Sequence, residues 1–340
     1  MTEFNLLITN WYRLNKRDLP WRETNDPYKI WLSEIILQQT RVDQGLSYYN
    51  KFLDEFPNID SLAKANEQQV LSLWQGLGYY SRARNLHFTA KTISNELNGQ
   101  FPQSFELLKK LKGVGEYTAA AIASFSFNEA VPVVDGNVYR VLSRVFNIEI
   151  PVDSAQGKKI FRELASELIS KENPGEHNQS IMEFGALQCM PAKPKCSNCV
   201  LSTKCLSLAQ NTIAFRPVKS KKIKVKNRYF HFLVLVNQTE IVLQKRMEKD
   251  IWQHLYQFPL TETDGPEIPT ELNFRLKSKN ANYISEECIH ILSHQKIHAR
   301  FYKFELTDTI LHQEYTTINF KDLHQYPLPR LIDKFLEADT

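Results

Sequence analysis

Nowhere in the 340 residues is there an apolar run of about 18, so the sequence offers no membrane-spanning helix. The short apolar start is interrupted by Asn10, Arg13 and Lys16, which also argues against a secretory leader. A protein made and kept in the cytoplasm is expected, with no membrane partner. Excess charge is equally missing. The 42 Lys and Arg against 38 Asp and Glu leave only +4, so global charge does not announce a nucleic-acid partner. Cysteine is scarce too. Five is an odd count for a secreted disulfide framework, and four of the five fall between Cys189 and Cys205 while Cys288 stands alone.

What charge there is lies unevenly. Residues 1–212 hold 23 basic and 22 acidic groups, residues 213–228 seven basic and none acidic, and residues 229–340 12 basic and 16 acidic. Strand signals are rare before the basic tract, where helical spacing dominates, as in Ile160, Phe161, Leu164 and Leu168. After it, Tyr229–Val236 and Glu240–Arg246 read as strands around the turn residues Asn237 and Gln238. His298–Leu306 alternates likewise, and Leu328–Leu336 reads as a helix. The expected organisation is multidomain: an all-α domain over 1–212, a basic linker over 213–228, and a small α+β domain over 229–340.

Cys189, Cys196, Cys199 and Cys205 are spaced C-x6-C-x2-C-x5-C. Four thiolates in so short a loop suit one compact metal group. A four-cysteine zinc site usually brings two close pairs and only Cys196–Cys199 is close here, so zinc and an iron–sulfur cluster both stay open. Upstream, Leu111-Lys112-Gly113-Val114-Gly115 precedes the small-residue run Thr118–Ala123. Two glycines at the start of a helix let backbone amides approach an anion, although a plain helix-to-helix turn would read the same way.

Two carboxylates complete the pattern. Glu34, in Ser33-Glu34-Ile35-Ile36-Leu37-Gln38-Gln39-Thr40, sits on an otherwise apolar helix, where burial would keep it protonated. Asp135, in Val134-Asp135-Gly136-Asn137, precedes a helical pattern whose amides favour the ionised form, and a simple N-cap would explain it equally. Together, in this order over about residues 15–210, these segments resemble the helix-hairpin-helix DNA glycosylases of the endonuclease III superfamily. That resemblance implies a [4Fe–4S] cluster on the four cysteines and backbone contacts to DNA through Gly113 and Gly115. It also implies a seat for a monovalent cation at the hairpin. Members that also cut the strand carry a nucleophilic lysine two residues after the second hairpin glycine, where this chain has Tyr117.

Tyr117, Glu34 and the added C-terminal domain resemble the branch that removes adenine mispaired with 8-oxoguanine or guanine. The expected partner is therefore double-stranded DNA carrying that mispair, bound by a monomer at the nucleoid. The resemblance makes Glu34 the proton donor and Asp135 the stabiliser of positive charge on the sugar, with Tyr117 orienting Asp135 or the sugar. It lines the base pocket with Arg17, Trp21, Arg22, Leu37 and Gln179. Gln39 and Tyr79 would wedge beside the orphaned base, with Thr40 a further DNA contact. Glu183 reads as helix surface. The C-terminal part resembles a Nudix-like domain, and Leu292-Ser293-His294 is its candidate reader of the damaged purine. No G-x5-E-x7-R-E run is present to hold magnesium, so recognition without hydrolysis is expected.

Overall fold

The computed structural model describes residues 2–220, 225–268, 283–305 and 315–339. The chain divides into two compact units, Met1–Lys64 with Asn85–Lys221 and Ala65–Arg84 with Lys222–Thr340. All regular structure described in the first is helical, and the second is built on a sheet.

This division departs from the expected 1–212, 213–228 and 229–340 in two places. Residues 65–84 fold with the C-terminal unit, because Gln75 Nε2 donates to Asp333 Oδ1 at 2.8 Å and Tyr80 Oη to the Leu328 carbonyl at 3.2 Å. The basic tract is also only partly a linker. Arg216 Nε donates to Asn147 Oδ1 at 3.0 Å, and Val152 N donates to the Val218 carbonyl at 3.0 Å, which ties this end of the tract to the helical unit. Residues 221–224 of the tract lie outside the described residues, and Lys226–Arg228 begin the first strand.

In the helical unit, Ile8, Val141, Leu142, Phe161 and Phe184 form one buried cluster that binds the helices Glu3–Asn15, Gly136–Val145, Ala155–Leu168 and Pro174–Leu187. Burying such side chains contributes about 1.5–3 kcal/mol each. One glycine sets a critical approach. A Cβ on Gly185 would lie 2.6 Å from Asn137 Cβ and 3.0 Å from the Asn137 carbonyl oxygen, so only glycine lets Pro174–Leu187 come this close to the Asp135 segment.

The C-terminal sheet contains β1 (Lys226–Val236), β2 (Glu240–Lys245), β3 (Tyr256–Gln257), β4 (Leu260–Thr263), β5 (Tyr283–Ile284), β6 (Cys288–Ile291), β7 (Gln295–Glu305) and β8 (Thr316–Asn319). Its main path is β3-β2-β1-β7-β5, with β4 on β1, β6 on β7 and β8 on β2. The two long strands β1 and β7 pair in parallel from Lys226↔Gln295 to Val236↔Glu305. Alternate inward residues Phe230, Phe232 and Phe301 meet Phe258 and Phe335 in the core, and the Phe301 and Phe335 rings stack at 4.0 Å. The expected strands and the helix Arg330–Asp339 appear close to where alternation placed them. The strands of two to four residues are too short for periodicity to reveal.

Candidate active site

Glu34 lies on the helix Pro27–Leu37, which starts where Asp26 accepts from Tyr28 N at 2.9 Å and Pro27 supplies a preset φ. Asp135 is the N-cap of the helix Gly136–Val145, accepting from Val138 N and Asn137 Nδ2, both at 2.7 Å. Behind it, buried Asn178 binds the incoming chain, accepting from Val133 N at 3.1 Å and donating to the Val131 carbonyl at 2.9 Å. The two carboxylates thus come from different helices and line one cavity of about 300 Å³.

That cavity gathers most of the expected site. Tyr117 lines it, as do all five expected base-pocket residues, Arg17, Trp21, Arg22, Leu37 and Gln179, together with Thr40. Tyr117 donates from its hydroxyl to Glu34 Oε2 at 2.6 Å, so it orients Glu34 rather than Asp135. Gln179 Oε1 accepts from the Tyr12 hydroxyl at 2.6 Å, which fixes its amide. Gln39 is not among the lining residues. It is exposed and left-handed, with φ +56°, an uncommon conformation for a residue other than glycine.

Electrostatics separate the two carboxyls. Burial pushes Glu34 up to about 7, partly opposed by the Tyr117 hydrogen bond and reinforced by the charge of Asp135. Burial also raises Asp135 above the ordinary carboxylate range, against the pull of Val138 N, Asn137 and Arg140. The expectation that helix amides and the dipole favour the ionised form is met only in part: the amides pull the value down, but desolvation outweighs them. Asp135 nevertheless keeps several donors aimed at its charged form where Glu34 has one, so Asp135 is the better placed to ionise.

Glu183 is a second correction. It is 1% exposed, not helix surface, and both Arg17 and Arg22 clasp it through paired hydrogen bonds of 2.6–2.9 Å. Burial alone would raise its pKa, but the two guanidinium groups hold it down at about 2.

The hairpin residues lie away from this cavity. Gly113 has φ +78°, and a Cβ there would lie 2.6 Å from Asn85 Cβ, so the turn requires glycine. Gly115 caps the helix Glu116–Phe127 without a side-chain hydrogen bond.

The cysteines form a separate cluster. Cys189, Cys196, Cys199 and Cys205 line one small apolar pocket, and buried Arg144 reaches it with Nη1 3.4 Å from Cys189 Sγ. Burial first, and then the neighbouring sulfurs, raise the thiols of Cys196, Cys199 and Cys205. Among the described residues, no three His, Cys, Asp or Glu side chains are arranged to hold a single metal ion.

In the C-terminal unit Tyr79, Ser293 and His294 line a second cavity of about 410 Å³, with Leu292 and Trp252. The Tyr79 and Ser293 hydroxyls hydrogen-bond directly, and Tyr79 is left-handed, with φ +47°.

Residues 32–171 match the model of the HhH-GPD superfamily base excision DNA repair proteins, and residues 231–338 match the NUDIX domain. The adenine DNA glycosylase of Buchnera aphidicola subsp. Schizaphis graminum is 35% identical over 98% of each chain. The chain belongs to the adenine DNA glycosylase family. The human adenine DNA glycosylase is 42% identical over 60% of this chain and 39% of its own. A solved thermostable thymine-DNA glycosylase is similar with a TM-score of 0.57 and 29% identity, covering 61% of this chain and 95% of its own. This protein is thus a base-excision DNA glycosylase, a hydrolase of N-glycosyl bonds, with a helical helix-hairpin-helix unit and a Nudix-like one.

For a glycosylase, several side chains matter that motif reading passed over. Arg140 donates to Asn137 Oδ1 at 2.8 Å, to the Gly185 carbonyl at 2.6 Å and to the Cys189 carbonyl at 2.7 Å, linking the Asp135 cap to the cysteine loop. Arg144 adds hydrogen bonds to the carbonyls of Met190 and Pro191. Both are buried cations on the helix Gly136–Val145, Arg140 in its middle and Arg144 in its last turn, where in sequence they read as ordinary basic surface. Nothing in the sequence pointed to Glu183, whose partners Arg17 and Arg22 lie 166 and 161 residues away.

Proposed function

We propose that this glycosylase removes adenine opposite 8-oxoguanine or guanine in double-stranded DNA and leaves an abasic site without cutting the strand. The observation that carries the reading is the buried Glu34 carboxyl, held by Tyr117 in the same cavity as Asp135. Duplex DNA hides the glycosidic bond, so the nucleotide must first be extruded, at a cost of a few kcal/mol. Exposed, left-handed Gln39 and Tyr79 are suited to occupy space in the opened duplex. Arg22 and Glu183, with Trp21, offer both hydrogen-bonding polarities and an aromatic face to an extruded purine.

With a pKa of about 7, Glu34 holds a proton near neutrality and donates it to the departing adenine. The C1′–N9 bond then breaks with its electron pair passing to the base. The sugar becomes an oxocarbenium ion, which ionised Asp135 stabilises. Water adds to C1′, its proton passes to the Glu34 carboxylate, and the acid is restored. Among the described residues lining the cavity none is a lysine, which supports a reaction without a Schiff base.

Cys189, Cys196, Cys199 and Cys205 fit a [4Fe–4S] cluster. Four sulfurs that repel one another when ionised hold together around a cationic group, and four cysteines lining one small pocket suit such a cluster. Bound there, the cluster would tie the 189–205 loop covalently to itself, while Arg144 balances its negative charge. A monovalent cation at the hairpin has less support, since the Leu111 and Lys112 carbonyls already accept from Val114 N and Thr89 Oγ1. The C-terminal cavity is the proposed reader of 8-oxoguanine through Ser293, His294 and Tyr79. A chromosomal substrate goes with work inside the cell, and the protein is proposed to bind it as a monomer.

The test is single-turnover cleavage of an 8-oxoguanine:adenine duplex, developed with and without alkali. Strand breaks that appear only after alkali support the proposal. Breaks without alkali, or no reaction, overturn it.

A further inference from the structure

One cluster of charge, gathered around two buried arginines, has no part in the chemistry above. Arg228 on β1 and Arg246, just after β2, are each 9% exposed. Both guanidinium groups bind Asp250: Arg228 through Nη1 at 3.0 Å and Nη2 at 2.8 Å, Arg246 through Nη2 at 2.8 Å. Arg228 also clasps Glu262 at 2.6 and 2.7 Å, and both cations lie over the Phe230 ring. Burying two guanidinium groups costs desolvation energy, and apolar residues in their place are often neutral for stability, so their presence points to a role beyond stability.

The turn that the cluster encloses supplies one. Residues 246–255 close on themselves through His254 N to the Arg246 carbonyl at 2.7 Å and Arg246 Nε to the Ile251 carbonyl at 3.1 Å. Within this turn Trp252 and His254 are both left-handed, with φ +58° and +67°. Two such residues persist only where the surroundings over-determine the backbone. The conformation sets the Trp252 ring edge-on to Phe230 at 6.0 Å and beside His290 at 5.8 Å. There it lines the same 410 Å³ cavity as Tyr79, Ser293 and Asp250 itself.

We propose that Arg228, Asp250 and Arg246 form a charge clasp that fixes this turn, and that the turn makes Trp252 the aromatic wall against which the cavity seats an oxidised purine. Trp252 is then a specificity-determining residue, and the three charged groups are positioning residues that act through it. Stacking alone does not tell one purine from another, so the wall adds affinity only for the base that Ser293 and its neighbours admit at its edge, and guanine, which they do not hold, gains little from it. The wall therefore matters most once the edge contacts have selected the base. The inference rests on the reading of this cavity as the lesion site.

The experiment measures equilibrium binding of the full-length protein to duplexes with 8-oxoguanine or guanine opposite 2′-fluoro-2′-deoxyadenosine, a substrate analogue that resists cleavage. The readout is the ratio of the two affinities. Loss of one base–aromatic contact is expected to lower that ratio about tenfold in Trp252→Ala, and Trp252→Phe should restore most of it. Asp250→Asn should lower it several-fold while Trp252 is intact. An unchanged ratio in Trp252→Ala overturns the wall, and an unchanged ratio in Asp250→Asn overturns the clasp. A general folding defect would weaken both duplexes alike and leave the ratio in place, which also counts against the proposal. Native protein that binds the two duplexes equally sinks the lesion-site reading itself, and the inference with it.

Discussion

On the function proposed above, the two cavities would do different work, and they are built from different materials. The helical unit's cavity is built from ionisable groups moved away from their ordinary pKa values, Glu34 up to about 7 and Glu183 down to about 2, on helices fixed by caps and close approaches. The C-terminal cavity combines hydroxyl and aromatic groups with the aliphatic Ile251, Ile291 and Leu292 and with Arg84 and Asp250, and two of its residues, Tyr79 and Trp252, are left-handed. Bond breaking needs large differential electrostatics, which a rigid, desolvated frame supplies. Telling one purine from another needs shape and a few neutral hydrogen bonds, each modest in energy. Substitutions should therefore act strongly and on rate in the first cavity, and weakly and on preference in the second.

The largest effect is expected at Glu34. Glu34→Gln removes the donated proton and should lower the single-turnover rate by about 10²–10⁴-fold. Asp135→Asn removes the charge facing the oxocarbenium ion and should cost about 10²–10³-fold. Either variant turning over like the native protein would break the contrast between the cavities. Glu183 comes next, through stability. Glu183→Gln leaves Arg17 and Arg22 without their buried anion and should cost about 3 kcal/mol, read as a lower midpoint of denaturant unfolding. Its folded pKa lies below the ordinary value, so the native state binds fewer protons there. Its contribution is present above about pH 4.5 and is lost as pH falls towards 2. Glu34 has the opposite sign. Its raised pKa gives stability that is full below about 4.5 and lost as pH rises through about 7. Glu183→Gln should thus flatten the acid side of a stability–pH curve, and Glu34→Gln the neutral side.

The same contrast explains what could be read before the structure was known. Glu34 was legible because an acid among Ile35, Ile36 and Leu37 has few uses, and the order of hairpin, Asp135 and cysteines carried the fold. Helical and alternating periodicity located the long elements for the same reason, since burial of one face repeats along the chain. Glu183 was not legible. A lone acid on a helix gives no sign of burial, and the two arginines that define it arrive from the far end of the unit. Residues 65–84 were placed with the wrong unit because segment order says nothing about which surface a helix packs against. The clasp around Asp250 failed to show for a similar reason, as Arg228 and Glu262 come from different strands and their charges look solvated in sequence.

Tyr117→Phe tests the boundary between the two kinds of effect. The Tyr117 hydroxyl donates to Glu34 and favours its ionised form, so its loss should move the Glu34 pKa upward, by about one unit for a charge-assisted hydrogen bond. The alkaline limb of the pH–rate profile then shifts to higher pH. The rate at neutrality falls only about tenfold, through loss of orientation rather than loss of the proton. A shift to lower pH would show that Tyr117 stabilises the protonated acid instead, and the assignment of donor and acceptor would reverse.

The smallest effect belongs to Ser293. Its hydroxyl meets that of Tyr79 at the rim of the C-terminal cavity, and both groups are neutral. Removing one neutral hydrogen bond typically costs about 0.5–1.5 kcal/mol, so Ser293→Ala should reduce the preference for 8-oxoguanine over guanine by about threefold. The rate of adenine loss at saturating protein should change far less than in Glu34→Gln, because in the proposed reaction the helical unit supplies every group that moves a proton. Competition between the two duplexes, run beside the single-turnover assay, separates the two quantities. If Ser293→Ala slowed the chemical step as much as it altered preference, the cavities would not be distinct in function. The C-terminal unit would then have to be counted as part of the catalytic apparatus.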